Sequence, residues 1–183
     1  LARLPPDRLP DLEELDALLG EAPVVCLGDG RPLRCVAPDP VDRRGYEARI
    51  LEAGEIPTRP GDIHDCFNVL VWRAFPAAKA ALNRRHGEAL AGSGGSGRRG
   101  TVRDALTQFD ECGILVTAAD PGLCEGLAAH RWDEVFRGRR AEVREGMDFR
   151  VFGHASYDQL RAPFHGLCGK AVYRQVAPAW FEL

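Results

Sequence analysis

Residues 63–90 read as two helices that meet at Pro76 with no loop between them, and this junction constrains the chain more than any other feature. Asp62 suits the N-cap of the first helix, over about 63–75, because its carboxylate can accept from an orphaned N–H of the opening turn. Proline has no N–H and holds φ near the helical value, so Pro76 opens the second helix, over about 76–90. Upstream, the apolar runs at 24–27 and 33–36 flank Asp29-Gly30-Arg31-Pro32 and predict an antiparallel hairpin over about 24–36. Downstream, residues 103–109 and 114–118 read as strands joined by Asp110-Glu111-Cys112-Gly113, a second antiparallel hairpin over about 103–118. A short acidic helix is expected at 11–19, a helix or strand at 46–52, and a helix from Asp120-Pro121 to about His130. Further strands are expected at 149–152 and 169–176. The expected class is α+β, with one globular domain over 1–183 and the Gly/Ser run at 92–97 as a flexible connector within it.

Composition removes several alternatives. At 45% hydrophobic and 28% charged residues the chain is no disordered polymer, and no apolar run approaches the ~18 residues of a membrane helix. A formal charge of −3 argues against a nucleic-acid partner. The beginning of the chain is proline-rich and acidic, unlike a secretion signal, so a cytoplasmic location is expected. None of the six cysteines forms Cys-x-x-Cys, which favours reduced thiols over zinc. Cys26 and Cys35 face each other if the first hairpin closes, and whether they pair is left open. Lys79 and Lys170 are the only lysines among 24 basic residues, a usage typical of a bacterial chain from a GC-rich genome.

The strongest chemical signal is Gly61-Asp62-Ile63-His64-Asp65-Cys66-Phe67-Asn68. His64 and Asn68 stand four apart on one helical face, and the His64-Asp65 pair can bind a metal or act as a base with its orienting carboxylate. The structural alternative is that Asp62 and Asp65 cap the helix while His64 bonds to the loop. On the second helix Lys79, Asn83 and His86 form a polar stripe, either facing solvent or facing the His64 helix, where Lys79 could hold a substrate anion. Asp110 and Glu111 are candidate hard-metal ligands, although turn chemistry also accounts for Asp110. His154 follows a predicted strand at the start of a short helix, a common place for a ligand or base and equally for a cap. There is no Gly-x-Ser-x-Gly elbow, P-loop, dinucleotide fingerprint or His-Glu-x-x-His.

Several phrases resemble the bacterial family known as domain of unknown function 3025. They run from Tyr46-Glu47-Ala48-Arg49-Ile50 and Gly54-Glu55-Ile56-Pro57-Thr58-Arg59 through His64-Asp65, Asn68 to Trp72, and Phe75-Pro76 to Lys79. They continue with Leu82-Asn83 to His86, Arg103 to Thr107, Phe109 to Gly113, Phe152-Gly153-His154 and Gly166 to Ala171. The resemblance covers about 44–172, with Cys66 and Cys112 in place of an expected Phe and Ser. It implies a grouping but no mechanism, and it contains His64, Asp65, Asn68, Lys79, His86, Asp110, Glu111, His154 and Lys170. His64-Asp65 is also similar to the dyad of HD phosphohydrolases, although no histidine precedes it here. Asn68-x-Leu-x-Trp with Asn83-x-x-His86 is similar to the tail of some His-Asn-His endonucleases, whose histidine ends a strand instead.

These features converge on a small metal-dependent hydrolase acting on a phosphoester. One divalent ion (Zn, Mn or Fe) is expected on His64, Asp65 and His154, with Asp110 or Glu111 completing the shell. Asn68, Lys79 and Lys170 are the candidate catalytic residues, the lysines neutralising a small anionic substrate, and His86 is a further candidate. The alternative is a non-catalytic interaction module. Its docking patch would comprise Trp72, Phe75 and Trp180, with Pro178-Ala179-Trp180-Phe181 as a docking peptide and a homo-oligomer left open. Metal-free acid–base chemistry at His64 and Asn68 is the third reading.

Overall fold

The computed structural model describes residues 7–42, 44–92 and 100–182. The connector expected at 92–97 lies outside the described residues except for Gly92, which ends a helix. Nine-residue α1 (Leu12–Gly20) starts on a capping box, Asp11 accepting from the Glu14 N–H while the Glu14 carboxylate accepts from the Asp11 N–H. Its Leu15, Leu18 and Leu19 are buried. Then follow β1 (Arg34–Val36), α2 (Tyr46–Ala53), β2 (Glu55–Pro57), α3 (Ile63–Ala74), α4 (Pro76–Gly92) and α5 (Thr101–Cys112). The remainder is β3 (Gly113–Ala118), α6 (Pro121–Ala128), a π turn (Glu134–Gly138), α7 (Arg140–Gly146), β4 (Met147–Val151), α8 (His154–Gln159), β5 (Lys170–Gln175) and a 3-10 turn (Pro178–Glu182).

Helices and strands mix as an α+β arrangement, but the two expected hairpins are corrected. Near 24–36 the antiparallel pairing shrinks to one bridge, Cys26 with Pro32. Pro32 has no N–H to extend a ladder, and β1 turns away to pair in parallel with β2, Cys35 opposite Ile56. Cys26 therefore faces Pro32 rather than Cys35, and both thiols are free. The stretch 103–109 is helical, not a strand. In α5 the residues Arg103, Leu106, Thr107 and Asp110 recur at three- and four-residue spacing and are at least half-buried. Asp110 and Glu111 thus occupy the last turn of a helix instead of a hairpin turn. The chain passes from that helix into β3 without a loop, and β3 is the centre of a three-stranded sheet. It pairs antiparallel with β4, Val116 opposite Phe149, and parallel with β5, Val116 opposite Tyr173.

Two apolar clusters carry the packing. One gathers α1, β1, α2, β2 and α3 around Leu19, Ile50, Ile56, Val69 and Trp72, and the other packs α6 on the sheet through Val116, Leu123, Leu127 and Met147. Trp72 is only 1% exposed and so cannot belong to the expected docking patch, whereas Trp180 is 49% exposed. Phe75 leans on Phe152 with ring centroids 5.7 Å apart. No described helix is long and apolar enough to cross a membrane.

Burial sorts the thiols. Cys35 is buried, which pushes its thiol up to about 12, and burial also raises Cys66, whereas Cys168 is exposed. Brief iodoacetamide treatment at pH 8 should therefore modify Cys168 first and leave Cys35 and Cys66 intact until denaturant is added. Peptide mapping checks this, and early labelling of Cys35 would contradict the packing around β1.

Candidate metal site

Three elements deliver the site. Asp62 caps α3, accepting from the Asp65 N–H, and places His64 in the first turn. The last turn of α5 carries Asp110 and Glu111. Gly153 joins β4 to α8 and presents His154 as the first residue of that helix. His64 Nε2 and His154 Nε2 lie 3.1 Å apart, and the Glu111 Oε2 is 3.8 Å from the first and 3.6 Å from the second. For bonds of 2.0–2.1 Å the edge of a coordination tetrahedron is about 3.3 Å, so one cation can reach all three atoms with small adjustments.

Hydrogen bonding selects the form of His154. Its Nδ1 lies 2.8 Å from the carbonyl oxygen of Asp110, which can only accept, so Nδ1 carries the proton and Nε2 presents a lone pair. Burial pushes the His154 pKa down to about 4, outweighing the opposing Asp110 charge, so the ring is neutral at physiological pH. The facing His64 Nε2 must then be bridged to it by its own proton or by a cation. Burial raises the Glu111 carboxyl above its ordinary value, and the His64 charge offsets part of that rise.

The other expected residues take different places. Lys79 is 3% exposed and donates from Nζ to Asp110 Oδ1 at 2.6 Å and to Asn68 Oδ1 at 2.8 Å, with the Trp72 ring centroid 5.3 Å away. Asn68 in turn donates from Nδ2 to the Tyr46 hydroxyl. Burial first, and then the nearby Glu47 and Asp110 charges, hold Tyr46 well above its usual range. Lys79 is thus a buried counter-ion, committed to Asp110 rather than free for a substrate. Asp110 orients His154 through its carbonyl, while its carboxylate belongs to Lys79. Asp65 is turned to Arg59, accepting from the Arg59 backbone N–H and Nε at 2.8 Å each and from Nη2 at 2.8 Å. Burial raises the Asp65 carboxyl, but the Arg59 hydrogen bonds and charge prevail and leave it below its ordinary value. Lys170 opens β5, exposed, in register with Gly113 and outside the cleft that holds the triad.

That cleft has a volume of about 460 Å³ and is lined by His64, Glu111 and His154 together with Tyr46, His86 and Arg103. Reading 103–109 as a strand concealed Arg103. On a helix it stands four residues before Thr107 and eight before Glu111, so the three share a face.

Neither the curated proteins nor the solved structures contain a match to the chain. One family model does match, described as "Protein of unknown function (DUF3025)", and it spans residues 33–183, from β1 to the end of the chain and including every residue of the triad. The chain is a member of this DUF3025 family.

Proposed function

We propose that the protein is a small metal-dependent hydrolase that holds one divalent ion (Zn, Mn or Fe) on His64, Glu111 and His154 and cleaves a phosphoester. The observation that supports this is the approach of two imidazole Nε2 atoms and one carboxylate oxygen to within 4.8 Å of one another on the wall of a polar cleft. A three-ligand set leaves coordination positions for water and substrate, the arrangement of catalytic rather than structural zinc. Held by His64, Glu111 and His154, such an ion would supply Lewis acidity for activating water and polarising a phosphoryl oxygen. Hydrolysis would transfer the hydroxyl of one water to phosphorus, break the ester P–O bond and pass the remaining proton of that water to the leaving alkoxide. His154 contributes a neutral ring, fixed in orientation by the Asp110 carbonyl, as second-sphere hydrogen bonds commonly do for metal-bound histidine.

Elemental mass spectrometry of freshly purified protein and of the His64→Ala and His154→Ala variants tests this reading. About one transition metal per chain is expected, lost from both variants while their circular dichroism is retained. A protein that takes up neither zinc nor manganese on loading, with both variants folded, would leave the two imidazoles joined by the His64 proton alone and remove the hydrolase.

A further inference from the structure

The side of the cleft formed by α4 and α5 carries two nitrogen groups without partners. His86 is 3% exposed and lines the cleft, and its Nε2 has no hydrogen-bond partner among the described residues. Arg103 lines the same cleft; its buried Nε is also without a partner, and among the described residues no carboxylate pairs with its guanidinium. Buried polar groups are nearly always satisfied; of the five buried side-chain atoms without partners among the described residues, these two line the cleft of the triad, where a bound ligand would satisfy both.

The acidic residues of the cleft have other commitments. Asp65 is paired with Arg59 and Asp110 with Lys79, while Glu47 accepts from Asn83 Nδ2 at 2.6 Å and Glu111 belongs to the triad. Arg103 is therefore not the counter-ion of the cleft's own carboxylates. Its planar fork suits an oxyanion bound through two parallel N–H bonds, and a proton on His86 Nε2 makes that ring a further donor.

We propose that Arg103 and His86 form an oxyanion station separate from the metal triad, holding a second anionic group, phosphate or carboxylate, of the substrate. Eight residues separate Arg103 from Glu111 on α5, about 12 Å along the helix axis at 1.5 Å per residue. The two stations are thus distinct places in one cleft. Resting on the hydrolase reading, this defines the substrate class as a small molecule with its phosphoester at one end and a second oxyanion at the other. It also gives the anion-holding role expected of Lys79 to a residue on the neighbouring helix.

The test is titration of inorganic phosphate, and separately of acetate, into metal-stripped protein, following the His86 ring by nitrogen–proton NMR. Saturable displacement of the His86 signals is expected with at least one anion, and the tighter of the two identifies the group held there. Arg103→Gln should weaken that binding by at least about tenfold, and Arg103→Lys, which keeps the charge without the fork, by less. Both variants should retain the circular dichroism spectrum and one metal per chain. No response of His86 to either anion, or equal affinity in Arg103→Gln, overturns the station. Because metal is absent during the titration, the two readings separate. Anion binding that persists in a His64→Ala protein unable to hold metal supports the station without the hydrolase. Metal binding in an Arg103→Gln protein with unaltered anion affinity does the reverse.

Discussion

Asp110→Ala is expected to lower the unfolding free energy by about 3–5 kcal/mol, the range for removing one partner of a buried ion pair. The effect comes from Lys79, whose side chain is 4% exposed and whose Nζ lies 2.6 Å from the lost carboxylate. Without it the ammonium keeps Asn68 as acceptor and the face of Trp72, neither of which carries a compensating charge. The lysine then has to ionise uncompensated, lose its proton or draw water inward, and each course destabilises the packing between α3, α4 and α5. Replacing both members by apolar residues of similar size, Lys79→Met with Asp110→Leu, removes the buried charge as well as its partner and should recover most of the loss. Urea unfolding followed by circular dichroism measures all three proteins. A double variant no more stable than Asp110→Ala would show that the aspartate acts through something other than the lysine. The backbone carbonyl that orients His154 survives the substitution, so whatever fraction of Asp110→Ala remains folded should still bind metal.

The same pair shows why the site was only partly legible in the sequence. His64, Glu111 and His154 are each prominent by residue type and local setting, and the Asp62 cap and Pro76 carry enough local information to place α3 and α4 within a residue or two. Choosing between Asp110 and Glu111 is different, because adjacent residues on a helix point about 100° apart and a turn has no such phase. The helix α5 was hidden because it runs straight into β3, and its C-cap Gly113, which is also the first residue of that strand, reads in the sequence as a turn glycine. The partner of Asp65 lies only six residues upstream, since Arg59 is in the loop before the α3 cap. The fate of Lys79 was beyond local reading, because its counter-ion arrives from 31 residues further along. Sheet order shares that difficulty: β3 finds its antiparallel partner in β4 and its parallel partner in β5, both across intervening helices. Local patterning shows that a strand exists and leaves its partner to be settled by tertiary packing.

Gly153→Ala is expected to weaken metal binding by roughly 10–100-fold, as loss of the groups that orient ligands does elsewhere, and to destabilise the fold by about 1–3 kcal/mol, the cost of overpacking. Gly153 has an ordinary extended conformation, φ −66° and ψ 118°, so conformational freedom is not what it supplies. Its role is space. A Cβ there would lie 2.3 Å from Cys112 Cα, 2.4 Å from Cys112 N and 2.5 Å from the Glu111 carbonyl oxygen. All three are backbone atoms at the end of α5, so no flexible side chain can give way, and α8 must move off α5. The glycine is next to His154 on one side of that contact and packs on Glu111 at the other, so the displacement falls between two of the three metal ligands. The backbone bond from the Gly153 N–H to the Gly113 carbonyl, 2.9 Å, is strained by the same movement. Gly146→Ala is the control, since its added Cβ meets nothing within 4 Å and the residue lies at the end of α7. Zinc affinity by competition with a chromophoric chelator, read beside urea unfolding, separates the effects. A Gly153→Ala protein that binds as tightly as the parent would mean that the triad does not depend on the close approach of α8 to α5. Equal losses in Gly146→Ala would remove the steric account altogether.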